Sequence, residues 1–84
     1  MSTEKFKSLL DEKYQWPCHY TFKFVVNTDN EGELANIFES DQVQKRSSRT
    51  GKYISYTVTK LVDSSDHVIE IYSRASSIDG VMSL

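Results

Sequence analysis

The sequence contains little cysteine, little glycine and no long apolar run. Cys18 is the only cysteine, so no disulfide can form within the chain, and a reducing compartment is the expected environment. The three glycines stand singly, which excludes a phosphate-binding loop of the type Gly-x-x-x-x-Gly-Lys-Ser/Thr. No segment approaches the roughly 20 apolar residues of a membrane-spanning helix, and the charged N-terminus lacks the apolar core of a signal peptide. We therefore expect a cytoplasmic protein without a membrane partner.

Charge is nearly balanced overall but is separated along the chain. The formal net charge is -2, which does not indicate a strongly basic nucleic-acid-binding protein. Residues 29–41 carry five acids and no base, and residues 42–62 carry five bases and no acid. An acidic segment therefore precedes a basic one.

The length and composition fit a single small domain over residues 1–84, with 38% hydrophobic side chains. We predict an N-terminal helix over 1–15 and a folded core over 16–84. Ser2 or Thr3 can cap the helix, which must end before Pro17. The apolar face of this helix is formed by Phe6, Leu9 and Leu10.

Strict alternation from about Cys18 to Val26 predicts a strand with two different faces. Its apolar face is formed by Tyr20, Phe22, Phe24 and Val26. Its other face is formed by His19, Thr21, Lys23 and Val25. We expect the first face to be buried in a core and the second to be left uncovered.

The next segment predicts a helix and a hairpin. Asn30 and Glu33 form a variant capping box for a helix from about Glu31 to Ser40. The polar residues from Gln42 to Ser48 are typical of a protected edge strand, and Thr50-Gly51 is a turn. A strongly β-prone strand follows, from Tyr53 to Leu61. Its apolar face is formed by Ile54, Tyr56 and Val58, and its other face by Tyr53, Ser55, Thr57 and Thr59.

A last helix and a short strand complete the chain. Asp63, Ser64 or Ser65 can cap the helix, and Gly80 suits the turn after it. The helix face comprises Val68, Ile71, Tyr72, Ala75 and Ile78, and residues 81–84 form the final strand.

Two core helices with one apolar stripe each and a two-faced antiparallel sheet predict an α+β fold. We expect a ferredoxin-like βαββαβ two-layer sandwich with an extra N-terminal helix, in which the first and third strands are central. The outward residues of these two strands then form one surface, which we name the open face. It includes Thr21, Lys23, Tyr53, Ser55 and Thr57.

Several short features after Tyr14 have the residue types and spacing of a known family. They are Trp16-Pro17, Tyr20-Thr21-Phe22-Lys23, Ser47-Ser48, Tyr53 with Ser55, and Ile78-Asp79 with Val81. The chain resembles the YbeD-like family of small bacterial proteins of unknown function. This resemblance implies a ferredoxin-like fold similar to the ligand-binding ACT regulatory domains, without an established enzymatic activity.

A second resemblance concerns the turn before the first core helix. Asp29, Gly32, Leu34, Ala35 and Ile37 are similar to the ACT pattern Asp-x-x-Gly-x-Leu-Ala-x-Ile. That pattern implies an amino-acid ligand at Asp29, Gly32 and Leu34, because a helix N-terminus attracts a carboxylate. Glu31 and Glu33 in the first turn would repel the same carboxylate, and we interpret them as a solvated helix face.

No arrangement for catalysis or metal binding is apparent. Cys18 and His19 are neighbours in a strand, so their side chains point to opposite faces. The other histidine, His67, is expected far away in the last helix. We therefore expect no enzyme, no metal and no cofactor.

The basic segment offers an RNA-binding alternative. Its candidate anion contacts are Lys45, Arg46, Arg49 and Lys52. Base stacking on a sheet needs two or three outward aromatic residues, and only Tyr53 is expected to point outward. A charged edge strand that balances the acidic helix is the simpler account.

The open face leads to our functional prediction. We expect a non-enzymatic binding module that regulates another protein by contact through this face or by pairing at an edge strand. Self-association stays open. Two structural interpretations also stay open, namely a merely solvated sheet and a sheet covered by the N-terminal helix.

Overall fold

The computed structural model of the protein describes residues 3–38 and 41–83. It is a mixed α+β structure with three helices and a four-stranded antiparallel sheet. The helices are α1 (Thr3–Lys13), α2 (Glu31–Ile37) and α3 (Ser65–Ser76). The strands are β1 (Cys18–Asn27), β2 (Gln42–Ser47), β3 (Tyr53–Val62) and β4 (Val81–Ser83). The predicted order of helices and strands is therefore confirmed.

The strand order in the sheet is β2-β3-β1-β4, and all neighbours are antiparallel. The prediction that the first and third strands are central is confirmed. In the register of this pair, Phe22 lies opposite Val58 and Lys23 lies opposite Thr57. Because facing residues of an antiparallel pair point to the same side, this register separates apolar from polar side chains across the sheet.

The core lies between the helices and one face of the sheet. Alternate residues of β1 and β3 are buried there, together with apolar residues of all three helices. The buried apolar residues are Leu10, Phe22, Phe24, Val26, Leu34, Phe38, Ile54, Tyr56, Val58, Val62, Val68, Ile71 and Ala75. The apolar strand faces predicted from alternation are thus the faces that pack against the helices.

The N-terminal helix α1 packs against α3 and does not cover the open face. The ring of Phe6 lies 5.8 Å from the ring of Tyr72, and Leu10 is buried. Lys7 Nζ donates to Ser65 Oγ at 2.7 Å and pairs with Asp66 at 3.2 Å. The interpretation in which Phe6, Leu9 and Leu10 cover the sheet is therefore wrong, because α3 already provides an apolar surface beside α1.

The connections before α2 differ from the predicted capping. A short 3₁₀ turn, Thr28–Asn30, precedes α2, and Asn27 Oδ1 accepts the N–H of Asp29 at its start. The Asn30 side chain makes no cap bond. Its Nδ2 donates instead to the carbonyl of Asp79 at 2.6 Å, so the predicted capping box is wrong. This bond ties the turn before α2 to the turn before β4.

The other helix ends lie close to their predicted positions. Ser64 Oγ accepts the N–H of His67 and caps α3, and Gly80 adopts a positive φ of 79° after it. Helix α2 ends at Ile37, because the backbone leaves the helical region at Phe38 while that side chain enters the core. Its predicted last residue, Ser40, lies outside the described residues, as do Glu39, the candidate cap Ser2 and the last residue of the predicted final strand.

We predict that Phe22→Ala destabilises the fold strongly. Phe22 is fully buried and its ring lies within 6.2 Å of four other aromatic ring centroids. Its truncation should lower the free energy of unfolding by about 3–5 kcal/mol in a urea titration. Thr59→Val on the exposed side of the same sheet is the control and should change it by less than about 0.5 kcal/mol. Equal effects of both changes would contradict this placement of the core.

Candidate functional site

The five residues predicted for partner binding lie together on the open face. All five project from the side of the sheet opposite the helices. Thr57 is half-buried, and the other four are exposed, namely Thr21, Lys23, Tyr53 and Ser55. Strands β2 and β4 extend the same surface with Gln42, Gln44, Arg46 and Met82. Among the described residues, no helix packs on this side. The face lies on two central strands that pair with each other over ten residues.

The open face carries positive charge without carboxylates. No Asp or Glu occurs within the described residues of the four strands. Lys23 and Arg46 project from the face, and Lys52 Nζ lies 5.9 Å from the ring centroid of Tyr53 at its end. The two other strand lysines point to the helix side, where Lys60 pairs with Asp41 at 3.0 Å and Lys45 pairs with a helix carboxylate. The sheet thus has neutralised cations on its covered side and unneutralised ones on its open side.

The open face also exposes large apolar side chains. Of four such side chains exposed in the described part of the chain, three lie on this face: Tyr53 at 42%, Leu61 at 54% and Met82 at 62%. The sequence reasoning missed Leu61 and Met82. The alternation of β3 did contain the signal for Leu61, because it follows Tyr53 at an even spacing. No such signal existed for Met82, because a three-residue strand is too short to show its period.

The candidate anion contacts do not form one cluster. Lys45 and Arg46 are neighbours in β2 and therefore project to opposite sides of the sheet. Arg49 and Lys52 lie in the hairpin turn between β2 and β3. The structure brings Arg46 and Lys52 to the open face and leaves Lys45 against the helices.

Glu31 is not part of a solvated helix face, so that interpretation is wrong for this residue. Its Oε2 accepts a hydrogen bond from the Tyr56 hydroxyl and another from Lys45 Nζ at 3.3 Å. The Glu31 side chain thus links the first turn of α2 to Lys45 of β2 and Tyr56 of β3. The Tyr56 hydrogen bond and, to a lesser degree, Lys45 lower the pKa of Glu31 against the opposing effect of burial. Burial, followed by the bond to Glu31, raises the pKa of Tyr56.

The turn predicted to hold an amino acid is only partly accessible. Asp29 and Gly32 are exposed, but Leu34 is fully buried in the core. The 3₁₀ turn also runs directly into α2, and the N–H of Glu31 is bonded to the carbonyl of Thr28. Part of the helix N-terminus that a carboxylate would use is therefore already satisfied.

In the part of the chain that the structure describes, two cavities lie away from this turn. The larger, about 580 Å³, lies between α1, α3 and the β4 end of the sheet and is lined mainly by Phe6, Phe24, Ile69, Tyr72 and Val81. The smaller, about 310 Å³, lies between α2 and β2 and includes Asp41, Lys45 and Tyr56. Neither contains the predicted ligand turn.

The cysteine and the histidines are dispersed. Cys18 is half-buried and His19 is exposed on the other face, while His67 Nδ1 accepts the N–H of Asp63 at 3.2 Å. Within residues 3–38 and 41–83, no three His, Cys, Asp or Glu side chains form a group that could hold a metal ion. No helix in this part of the chain is long and apolar enough to cross a membrane.

A comparison with protein families matches residues 11–84 to a family described as protein of unknown function, DUF493. The chain belongs to the DUF493 family. The match covers the whole sheet, α2 and α3, and it begins at Asp11, so most of α1 precedes the family segment. No curated protein and no solved structure matches the chain.

We predict that Tyr56→Phe raises the pKa of Glu31 toward its ordinary value of 4.5. The stability contributed by a carboxylate of lowered pKa is present above the unfolded-state value and is lost as the pH falls through the folded-state value. The variant should therefore lose less stability than the wild type on acidification below about pH 4.5. Carbon-detected NMR titration of Glu31 and urea titrations at several pH values measure both effects.

Tyr53→Phe is the matched control, because it removes a tyrosine hydroxyl from the opposite side of the same strand. It should leave the titration of Glu31 unchanged. If Glu31 titrates at the same pH in the wild type and in Tyr56→Phe, the hydrogen bond does not form in solution.

Proposed function

We propose that the protein is a non-enzymatic binding module that regulates another protein through its open face. The observation that carries this proposal is the composition of that face. It combines unneutralised cations, hydroxyl groups and exposed apolar side chains on a surface that no described helix covers. Interfaces between separately folded proteins combine apolar and polar contact area in a similar way.

The charge of the face favours a partner with an acidic surface. Lys23 and Arg46 have no carboxylate beside them on the strands, so an approaching acidic group does not have to displace an internal ion pair. Complementary charge raises the association rate and helps to reject wrong partners. The exposed apolar side chains of Tyr53, Leu61 and Met82 supply the contact area that such a charge pair lacks.

Two other functions have weaker support. RNA binding through the face requires aromatic rings on which bases stack, but Phe22, Phe24 and Tyr56 are buried and Tyr53 stands alone. Amino-acid sensing at the turn before α2 has less support, because Leu34 is part of the core and the N–H of Glu31 is already bonded to the carbonyl of Thr28.

We further infer that the sandwich is of the ferredoxin-like type, similar to ACT domains. The βαββαβ order after α1 and the central position of β1 and β3 support this inference. The shared short features make the bacterial YbeD-like proteins the expected relatives. The single cysteine favours a cytoplasmic location.

We predict that Lys23→Glu/Arg46→Glu abolishes retention of the partner. Tagged protein is incubated with native lysate, and retained proteins are quantified by mass spectrometry at low and high salt. The wild type should retain one defined protein, and the retained amount should fall by about tenfold or more with the variant. High salt should also lower the amount that the wild type retains. Lys13→Glu/Arg74→Glu makes the same charge change on α1 and α3 and is the matched control.

The retained protein is then purified and added to isotope-labelled wild-type chain. NMR shift changes should concentrate at Thr21, Lys23, Tyr53, Ser55 and Thr57. Shift changes confined to the helices would overturn the proposal, and so would equal retention by the variant and the wild type. Retention that is lost after ribonuclease treatment would instead support RNA binding.

We predict that none of the common amino acids binds to the chain. Isothermal titration at millimolar ligand should give no heat beyond dilution, because the predicted turn offers no cavity. Saturable heat with one amino acid, lost in a Gly32→Val variant and retained in Gly51→Val, would make the chain a small-molecule sensor.

A further inference from the structure

Among the described residues, one edge of β1 is unpaired over most of its length. β1 pairs with β3 along all of Cys18–Asn27, but β4 pairs with it only along Phe24–Val26. Beside Cys18–Lys23 on the β4 side, no strand lies within the part of the chain that the structure describes. About 20 Å of an inner strand, at the usual rise per residue, therefore forms an edge of the sheet.

The accessible backbone groups of this edge can be assigned. In an antiparallel strand, the N–H and C=O groups of alternate residues point to the same edge. Thr28, which directly follows β1, donates its N–H to the carbonyl of Lys52 at 3.0 Å and so continues the ladder with β3. The backbone groups of Phe22, at an even spacing from Thr28, therefore also point to β3. The exposed residues are His19, Thr21 and Lys23. Their N–H and C=O groups are the free donors and acceptors of the edge.

Beneath this edge the helix layer is wider than the sheet. α1 packs on the outer side of α3, where β4 is only three residues long. The 580 Å³ cavity lies at the β4 end of this edge, between Phe6 of α1, Tyr72 of α3, Val81 of β4 and Phe24, the β1 residue that follows Lys23. Leu9, one helical turn from Phe6, remains 46% exposed. Apolar side chains on an added strand would therefore have a surface to bury.

We propose that the Cys18–Lys23 edge accepts an extended segment of a partner protein. The segment lies antiparallel to β1 and in line with β4. Only an extended backbone presents hydrogen-bonding groups at the spacing of the free groups of β1. Its side chains alternate between apolar residues on the cavity side and acidic residues beside His19 and Lys23, where the strands carry no carboxylate. This site is the backbone edge of β1. It shares the side chains of Thr21 and Lys23 with the open face, but it does not involve Arg46 or the β2 side of that face.

The first test uses the free protein. The amides of His19, Thr21 and Lys23 should exchange with deuterium about 100-fold faster than those of Tyr20 and Phe22, because only the latter are bonded to β3. Similar protection of all five amides would show that the edge is already occupied and would overturn the proposal.

The second test uses a designed peptide, acetyl-Glu-Leu-Thr-Val-Glu-Ile-amide, written in the antiparallel direction from Lys23 to Cys18. At millimolar concentration it should shift the amides of His19, Thr21 and Lys23 in NMR spectra. A peptide of the same composition with both glutamates adjacent should bind about tenfold more weakly, because it cannot place acids and apolar residues on separate faces. Absence of shifts with the designed peptide, or equal binding of both, would overturn the proposal.

Two variants separate backbone pairing from other effects. Thr21→Pro removes a free N–H at a strand edge, where proline is tolerated, and should weaken peptide binding by about tenfold or more. Thr21→Val keeps the N–H and should bind like the wild type. If Thr21→Pro does not fold, the test uses a peptide that is N-methylated at alternate residues and so lacks the backbone donors that face β1. Unchanged affinity of that peptide would contradict the proposal.

Arg46→Glu distinguishes this proposal from the proposed function of the open face. Arg46 lies on β2, at the opposite edge of the sheet. The affinity of this variant for the designed peptide should differ from that of the wild type by less than about threefold. Concentration-dependent dimerisation that protects the same three amides, and that Thr21→Pro abolishes, would identify a second copy of the chain as the occupant and overturn the assignment to a partner protein.

Discussion

The antiparallel pairing of β1 with β3 determines the positions of most other parts of the molecule. Ten residues of each strand are paired in a single register, and facing residues share a side of the sheet. On one side, the rings of Phe22 and Phe24 contact Phe38 of the α2 region and Tyr72 of α3. Burial, and the hydrogen bond between the Tyr20 and Tyr72 hydroxyls, raise the pKa of Tyr72 in this cluster. A shift of one residue in the register would exchange the core for the open face.

This register also explains the distribution of charge. The acidic and basic segments are consecutive in sequence, and the fold brings members of one against members of the other on the covered side of the sheet. Lys45 and Lys60 therefore meet Glu31 and Asp41 on the covered side. Lys23 and Arg46 point away from the helices and have no strand carboxylate as a neighbour. The positive open face thus follows from the alternation of the strands, since no side chain can turn through the sheet to a helix carboxylate.

The additional helix α1 makes the helix layer wider than the sheet. Two core helices and four strands fill a two-layer structure, but here α1 is added beside α3, next to the shortest strand. Lys7 and Asp11 fix the helix in this position through Ser65 and Trp16. The helix layer therefore extends over a region where the sheet has only the free edge of β1. The large cavity and the exposed Leu9 are both consequences of this arrangement.

The sequence by itself determined the type and order of the helices and strands, the two faces of β1 and β3, and the five open-face residues, because each of these depends on a local period or a local turn. Only the tertiary structure decided the side on which α1 packs, the role of Asn30 as a link to Asp79, and the hydrogen bonds of Glu31. These features depend on contacts between residues far apart in sequence, and no local pattern of residue types in one sequence predicts such contacts. The exposure of Met82 and the unpaired edge of β1 among the described residues belong to the same class, because both depend on how β4 is placed against β1.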